Sequence, residues 1–158
     1  MIPMRRGAAS PRPLARLARA SERGAAAVEF VIMVPALLLM AGLMLFAGRL
    51  ANAQIAVQQW ADSAARTASL ARDAGTAQAQ AHGVVTGDAR ASGVRCQPSW
   101  TLRLDVSAFT APLGAPGKIR AAVTCQVPVG DLLLPGLPGG VSLSAESSST
   151  LDRYRGKR

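Results

Sequence analysis

The sequence contains few of the residues that most often perform chemistry or bind metal ions. Its 158 residues include one histidine and two cysteines, and aromatic residues make up 4% of the chain. A structural zinc site takes four ligands, so His82, Cys96 and Cys125 are too few to form one. The acidic residues are scattered, no glycine loop that binds phosphate is present, and His82 has no paired nucleophile or carboxylate. These absences argue against an enzyme, and we expect no cofactor and no small-molecule substrate.

Positive charge is concentrated at the N-terminus. The chain has a formal net charge of +9, and six of its 18 basic residues precede Gly24, against the single acidic residue Glu22. No aromatic residue lies among these arginines and an apolar run follows them directly, which argues against nucleic-acid binding. Basic residues in this position are typical of the cytoplasmic flank of a membrane span. They are Arg5, Arg6, Arg12, Arg16, Arg19 and Arg23.

A long apolar run follows this basic segment. Phe30 to Gly48 are 19 consecutive uncharged residues. At about 1.5 Å of helix rise each, they nearly match a hydrocarbon core of about 30 Å. Arg49 follows the run, and the next basic residue is Arg66. This contrast in charge predicts a single-pass protein held in membrane lipid, with a cytoplasmic N-terminus and an extracytoplasmic C-terminal body.

The residues after the span have the composition of a helix. Residues 49–81 contain no proline and are rich in strong helix formers, so the sequence predicts one continuous helix that ends between residues 74 and 83. Apolar residues recur at spacings of three and four, which indicates a narrow stripe of mostly small side chains. The stripe packs either against the protein's own sheet or against a neighbouring subunit. It consists of Leu50, Ala53, Val57, Trp60, Ala64, Ala68 and Ala71.

Beyond Gly93 the sequence changes to short alternating segments bounded by proline and glycine. Residues 99–109, 118–129 and 141–151 are predicted to be strands. In the first of them, leucines alternate with polar residues, which gives one apolar face and one solvated face. Three antiparallel strands with one face against the long helix make a small α+β fold. The serines at 142, 144, 147, 148 and 149 are predicted to form the polar side of the last strand.

The two cysteines, Cys96 and Cys125, both fall in the predicted external body, where a disulfide forms and persists. A bond between them would tie the approach to the first strand to the second strand. Closing a loop of about 30 residues stabilises a small domain by roughly 3 to 4 kcal/mol on the chain-entropy model. The alternative is a pair of buried free thiols.

Glu29 places a carboxylate at the start of the apolar run. A charged side chain costs roughly 2.5 to 3.5 kcal/mol at the centre of a membrane helix and less near the interface, so Glu29 needs a positive partner. The nearest basic residue, Arg23, lies six residues earlier and outside the span. A peptidase cut between Gly24 and Ala25 creates such a partner, because the new α-amino group is a cation four residues before Glu29. The two charges then neutralise each other within one helix or between two staggered helices.

These residues also carry a resemblance to a known family. Gly24, the four residues AAAV, then Glu29 and Phe30 are similar to the class III signal of type IV pilins. The longer segment RGAAAVEFVIMVPALLLMAGLMLFAGR resembles the TadE-like family of minor pilins, or pseudopilins, of the tight-adherence (Tad/Flp) pilus system. Phenylalanine at position 30, where the major pilin has tyrosine, favours a minor subunit.

The resemblance implies a structural role in assembling a surface pilus that serves adhesion. A membrane prepilin peptidase would cut between Gly24 and Ala25, and the product would associate with other pilin and pseudopilin subunits. Glu29 would set the axial register of the subunit, and Pro35 would kink the membrane helix. The external domain would project from that helix as in a pilin.

The sequence alone leaves two alternatives to prepilin processing. Ala51 and Ala53 form an A-x-A pattern after the apolar run, so signal peptidase could release a secreted domain that begins at Gln54. An uncut chain would be a single-pass anchor that displays a small binding domain. The predicted organisation is a basic leader (1–24), a transmembrane helix (25–48), an external alanine-rich helix (49–82), a β-rich domain (83–151) and a polar tail (152–158).

Overall fold

The structure of the chain, a computed structural model, describes the backbone of residues 13–112, 116–132 and 139–151. Within those ranges it describes side chains from Val28 onward, apart from those of residues 131 and 132. The first 12 residues of the predicted leader and the predicted tail, 152–158, lie outside the described residues. The chain divides into two compact units, Met1–Leu43 and Met44–Arg158.

A long helix, a second helix and three strands make up the described chain. A 3-10 turn, Ser107–Phe109, follows the first strand. This arrangement of a long N-terminal apolar helix and a small sheet confirms the predicted α+β class. The elements are α1 (Pro13–Ser69), α2 (Ala74–Ser92), β1 (Thr101–Asp105), β2 (Lys118–Pro128), the single turn α3 (Val129–Leu132) and β3 (Gly140–Thr150).

The helix α1 begins earlier than the sequence predicted. It starts at Pro13, whereas the predicted membrane helix began at Ala25, so residues 13–24 of the predicted leader are helical. Proline suits the first position of a helix, where its missing N–H would have no partner within the helix. The leucine, alanine and arginine residues that follow are good helix formers, and they continue the helix from there.

The end of α1 also differs from the prediction. The helix ends at Ser69, whereas the sequence predicted a single helix ending between residues 74 and 83. The backbone N–H of Leu70 and of Ala71 donate to the carbonyls three residues earlier, at 3.3 and 3.2 Å, which tightens the last turn. The Ser69 hydroxyl donates to the Arg66 carbonyl at 2.8 Å and satisfies another free acceptor of this helix end.

An aspartate begins the second helix. The Asp73 carboxylate accepts hydrogen bonds from the Thr76 backbone N–H and from the Thr76 hydroxyl, both at 2.8 Å, so Asp73 caps the N-terminus of α2. The same two hydrogen bonds lower the pKa of the Asp73 carboxyl below its ordinary value. The cap explains why a new helix starts at Ala74.

The helix α2 continues through a segment that the sequence predicted to be a loop. The sequence predicted a helix end between residues 74 and 83, where glycines begin to recur, but Gly83 and Gly87 both lie inside α2, which ends at Ser92. Gly93 terminates it with a φ of 69°, in the left-handed region that glycine adopts without a steric penalty. Tertiary packing of Ala77, Ala81 and Val85 offsets the weak helix propensity of the two glycines.

The three strands form an antiparallel sheet in the order β1-β2-β3. Leu102 of β1 lies opposite Val123, and Val123 lies opposite Ala145 of β3, so these residues share the inner face. Alternate residues of β2 on this face are buried, and those between them are exposed or half-buried. The predicted alternation therefore places the apolar face inward.

The predicted stripe on α1 packs against the protein's own domain. Ala53, Val57, Trp60, Ala64 and Ala68 are buried in one cluster with residues of α2 and of the inner sheet face. The alternative, that the stripe is free for a neighbouring subunit, is thereby excluded for these side chains. Ten of the 19 buried apolar residues in the described part of the chain are alanines. The core is therefore built from small side chains that let the elements approach closely.

Polar contacts join the ends of α1 and β3. The Ser149 hydroxyl donates to the hydroxyl of Ser69 at 2.9 Å. Ser149 lies opposite Ile119, a fully buried residue of β2, so it belongs to the inner face. Ser147 lies opposite the fully buried Ala121 and shares this face. The prediction that the serines together form the polar side of β3 is therefore wrong for Ser147 and Ser149, and the polar group of Ser149 has a partner inside the fold.

We expect Ala64→Leu to lower the free energy of unfolding by about 1 to 3 kcal/mol, because the added carbons must displace close-packed neighbours. Ala64 is fully buried in the core of the second unit. Chemical denaturation of the full chain in detergent micelles measures the change.

Ala51→Leu is the matched control, because Ala51 lies on an exposed position of the same helix. Leucine and alanine have similar helix propensities, so the control should unfold at the denaturant concentration of the wild type. Equal stability of both variants would contradict close packing at Ala64.

Candidate functional site: the start of the apolar helix

The predicted processing residues lie within the helix α1. Gly24 and Ala25 have helical backbone, and Glu29 follows Ala25 by four residues on the same helix. Four residues of helix rise span about 6 Å along the axis, and residues at this spacing lie on one side of the helix. The backbone therefore places the Glu29 side chain on the side of the helix where the Ala25 nitrogen lies.

The side chains that follow Ala25 along the helix are exposed. Glu29 is exposed, and Phe30 is 66% exposed beside it. Large apolar side chains continue this exposed surface along the described part of the first unit. They are Val28, Val31, Ile32, Met33, Val34, Leu37, Leu38, Leu39, Met40 and Leu43. An apolar surface that surrounds a helix on all sides is typical of a membrane span or of a helix enclosed by other chains.

The exposed surface coincides with a candidate membrane span. The helical segment Val28–Ser69 contains an 18-residue window that is apolar enough to cross a bilayer, and no residue of that window is buried within the protein. This is consistent with membrane anchoring near the N-terminus. In such a span, every residue that follows Glu29 up to Gly48 is uncharged, so the Glu29 carboxylate lies at the N-terminal edge of the apolar segment.

Pro35 lies inside this segment, and α1 continues through it. Proline has no backbone N–H, so the carbonyl one turn earlier loses its usual helical donor. Membrane helices tolerate this loss where other groups take over the hydrogen bond. The kink predicted at Pro35 stays a prediction.

The predicted disulfide is confirmed. Cys96 and Cys125 are bonded, with their Cα atoms 5.2 Å apart and a sequence separation of 29. Next to the bond, the Gln97 backbone N–H donates to the Gln126 carbonyl at 2.8 Å. The two links hold the segment before β1 against the C-terminal part of β2, just beyond Thr124, which pairs with the first residue of β1, Thr101.

His82 lies on α2. Its ring is 4.8 Å from the ring of Trp100, at an interplanar angle of 46°. The Thr86 hydroxyl donates to the His82 carbonyl at 2.7 Å. Trp100 and His82 are 18 residues apart, and the sequence carries no local signal that would have paired them.

No group of three potential metal ligands among histidine, cysteine, aspartate and glutamate lies together in the described residues. The two described carboxylates with lowered pKa values serve local structure. Asp105 accepts a hydrogen bond from the Ser107 backbone N–H at 3.0 Å. Hydrogen bonds from the Ser107 side chain and backbone lower the pKa of Asp105, and Arg120, opposite it in the sheet, adds to the effect.

The family resemblance is confirmed over the same segment. Residues 24–66 match the profile of a family described as TadE-like protein. The matched segment begins at Gly24 and contains Ala25, Glu29, Phe30 and Pro35. The match suggests a protein associated with the Tad pilus. No curated protein and no solved structure matches the chain.

Reduction of the disulfide should lower the free energy of unfolding by about 3 to 4 kcal/mol, because the unfolded chain regains the entropy of a 29-residue loop. Denaturation of the full chain in detergent, with and without reductant, measures this difference. The double variant Cys96→Ala/Cys125→Ala is the control and should not respond to reductant. A reduced wild type as stable as the oxidised one would contradict a stabilising link.

Proposed function

Because residues 24–66 match the TadE-like family, we propose that this chain is a minor pilin, or pseudopilin, of a tight-adherence pilus. A prepilin peptidase cuts it between Gly24 and Ala25, and the product takes part in assembling the pilus or in its structure. The observation that carries the proposal is the position of the match. It begins at the glycine before the proposed cut and extends through the apolar helix into the core of the external domain.

The proposed cut gives Glu29 its partner. The cut converts the backbone nitrogen of Ala25 into an α-amino cation, four residues before the carboxylate on a helical backbone. The amine can pair with Glu29 of its own helix or with Glu29 of a neighbouring subunit shifted along the pilus axis. Pairing between subunits would set the axial register, because only one shift brings the two charges together.

The exposed apolar surface of the first unit supports an assembly role. These side chains are in contact with lipid before assembly, and with the corresponding helices of other subunits afterwards. In this proposal the N-terminus is cytoplasmic and the domain from Arg49 onward is extracytoplasmic, where its disulfide forms. The role is structural and uses no catalytic group.

The packing of Ala53 favours this route over release by signal peptidase. Ala53 is 5% exposed and belongs to the core cluster, and Leu50 packs against the same cluster. A cut after Ala53 would divide α1 inside its packed part and would remove both residues from the domain. A cut before Ala25 leaves the described core intact.

We expect the mature chain to begin at Ala25. Mass spectrometry of the protein's N-terminus, on material from host membranes and from sheared surface fractions, tests this directly. In host cells without prepilin peptidase, the chain should keep residues 1–24. A mature chain that begins at Gln54 would contradict the proposal and support a secreted domain, whereas an intact N-terminus in wild-type cells would support an uncut anchor.

We expect Glu29→Gln to leave the cut unchanged but to reduce incorporation into sheared surface material. Loss of a polar interaction of about 1 kcal/mol in the membrane corresponds to roughly fivefold lower incorporation. Immunoblots of membrane and sheared fractions, normalised to total protein, measure the ratio.

Glu146→Gln is the matched control, since it removes one carboxylate from the exposed face of β3. It should behave as the wild type. If Glu29→Gln is incorporated as well as this control, the carboxylate does not set the register.

A further inference from the structure

A groove with two arginines lies at the end of the external unit that directly follows the apolar run. Arg49 and Asn52 of α1 line one side of it, and Arg95, two residues after the cap of α2, lines the other. Its volume is about 210 Å³. Since a water molecule occupies about 30 Å³ of liquid, the groove has room for a phosphate group together with bound water.

The fold brings the second arginine back to the level of the first. The helix α1 leads away from the apolar run, and α2 ends where residues 92–95 meet residues 49–56 of α1. Arg95 is therefore a spatial neighbour of the span's end although 46 residues separate it from Arg49 in the sequence. Arg49 is the first residue after the 19-residue apolar run, so a membrane-spanning α1 places this groove at the layer of lipid headgroups.

The residues of the groove suit an anionic phosphate. A guanidinium group donates two parallel hydrogen bonds to phosphate oxygens, and the Asn52 amide is a further donor. None of the described residues that line the groove is acidic. The C-terminus of α2 opposes an anion, because a helix end carries about half a negative charge. Two full positive charges outweigh that half charge.

The floor of the groove is apolar. Ala53, Ala56 and Val127 are buried beneath it, and Val94 lies beside them, half-buried. Apolar side chains below a pair of cations match a molecule with a charged head and a hydrocarbon body. Lipid of this kind surrounds the segment in the bilayer, whereas free phosphate would make no use of the floor.

We propose that this groove binds the phosphate headgroup of an anionic phospholipid at the membrane surface. Arg49 and Arg95 hold the phosphate oxygens, and the apolar floor contacts the carbon atoms next to it. Binding fixes the base of the external domain on the bilayer through two parts of the fold, α1 and the segment after α2. The inference depends on the membrane span and not on the pilus role.

The full-length chain in nanodiscs tests the proposal, with phosphatidylglycerol and phosphatidylcholine in equal amounts as the probe lipids. Native mass spectrometry counts the lipids that stay bound after release from the nanodisc. The wild type should retain phosphatidylglycerol in preference to phosphatidylcholine. Arg49→Gln/Arg95→Gln should lower the retained phosphatidylglycerol at least about tenfold, as expected for loss of charge-assisted hydrogen bonds.

Arg66→Gln/Arg72→Gln is the matched control, because it removes the same charge from two exposed arginines that do not line this groove. It should retain lipid as the wild type does. An equal loss in both double variants would overturn the proposal in favour of unspecific attraction, and so would equal retention of both lipids by the wild type. Inorganic phosphate should not displace the lipid; displacement would show a site for free phosphate instead.

Arg95→Lys is a second variant that distinguishes a loss of lipid binding from a folding defect. It keeps the charge but loses the guanidinium fork, so retention of phosphatidylglycerol should fall between the wild type and the double glutamine variant. An intact Cys96–Cys125 bond and an unchanged far-ultraviolet circular dichroism spectrum show that each variant is folded. Failure of the wild type to enter nanodiscs would also overturn the proposal, since the groove would not lie at a membrane.

Discussion

The alanine-rich core shared by α1, α2 and the inner face of the sheet is the packing on which the second unit depends. Ala64 and Ala68 on the helix, and Ala121 on the strand, have no accessible surface in the described structure. Such short side chains bury little apolar area each, so the stability of this core depends on many of them being packed together. The disulfide and the Asp73 cap add stability to a fold whose core has few large side chains.

Two different surfaces follow each other along α1. Large side chains between Val28 and Leu43 are exposed all around the helix, whereas from Ala53 to Ala68 small side chains point into a core. From Ala53 onward the inward side of α1 is buried in the protein's own core, so another chain could contact this part of the helix only through its opposite side. Exposed positions there are Ile55, Gln59 and Arg66, a mixed surface and not an apolar one. The surface available for apolar contacts with other chains is therefore the early part of the helix.

The sequence predicted those features that depend on local pattern or on counting. The alternation of apolar and polar residues along β2 predicted which of its faces is buried. The presence of two cysteines in the predicted external body indicated one disulfide. The break after Ser69 was missed because it depends on an aspartate cap followed by threonine, and Gly83 and Gly87 were stronger local signals for a helix end. The Ser149 to Ser69 bond and the His82 to Trp100 contact join distant residues, which a periodic pattern does not reveal. The partner of Glu29 was inferred from an unsatisfied charge, because the proposed processing would create that partner only after translation.

The order of the strands has a consequence for how the domain folds. Each strand pairs with its neighbour in sequence, so β2 and β3 can form a hairpin after closing a loop of only 11 residues. The contact between α1 and β2 instead joins residues about 60 positions apart, and closing a longer loop costs more entropy. Contacts of long sequence separation slow folding, so we expect docking of the hairpin onto the helix to be the late step. The helix can therefore be inserted in a membrane first and serve as the template on which the sheet is completed.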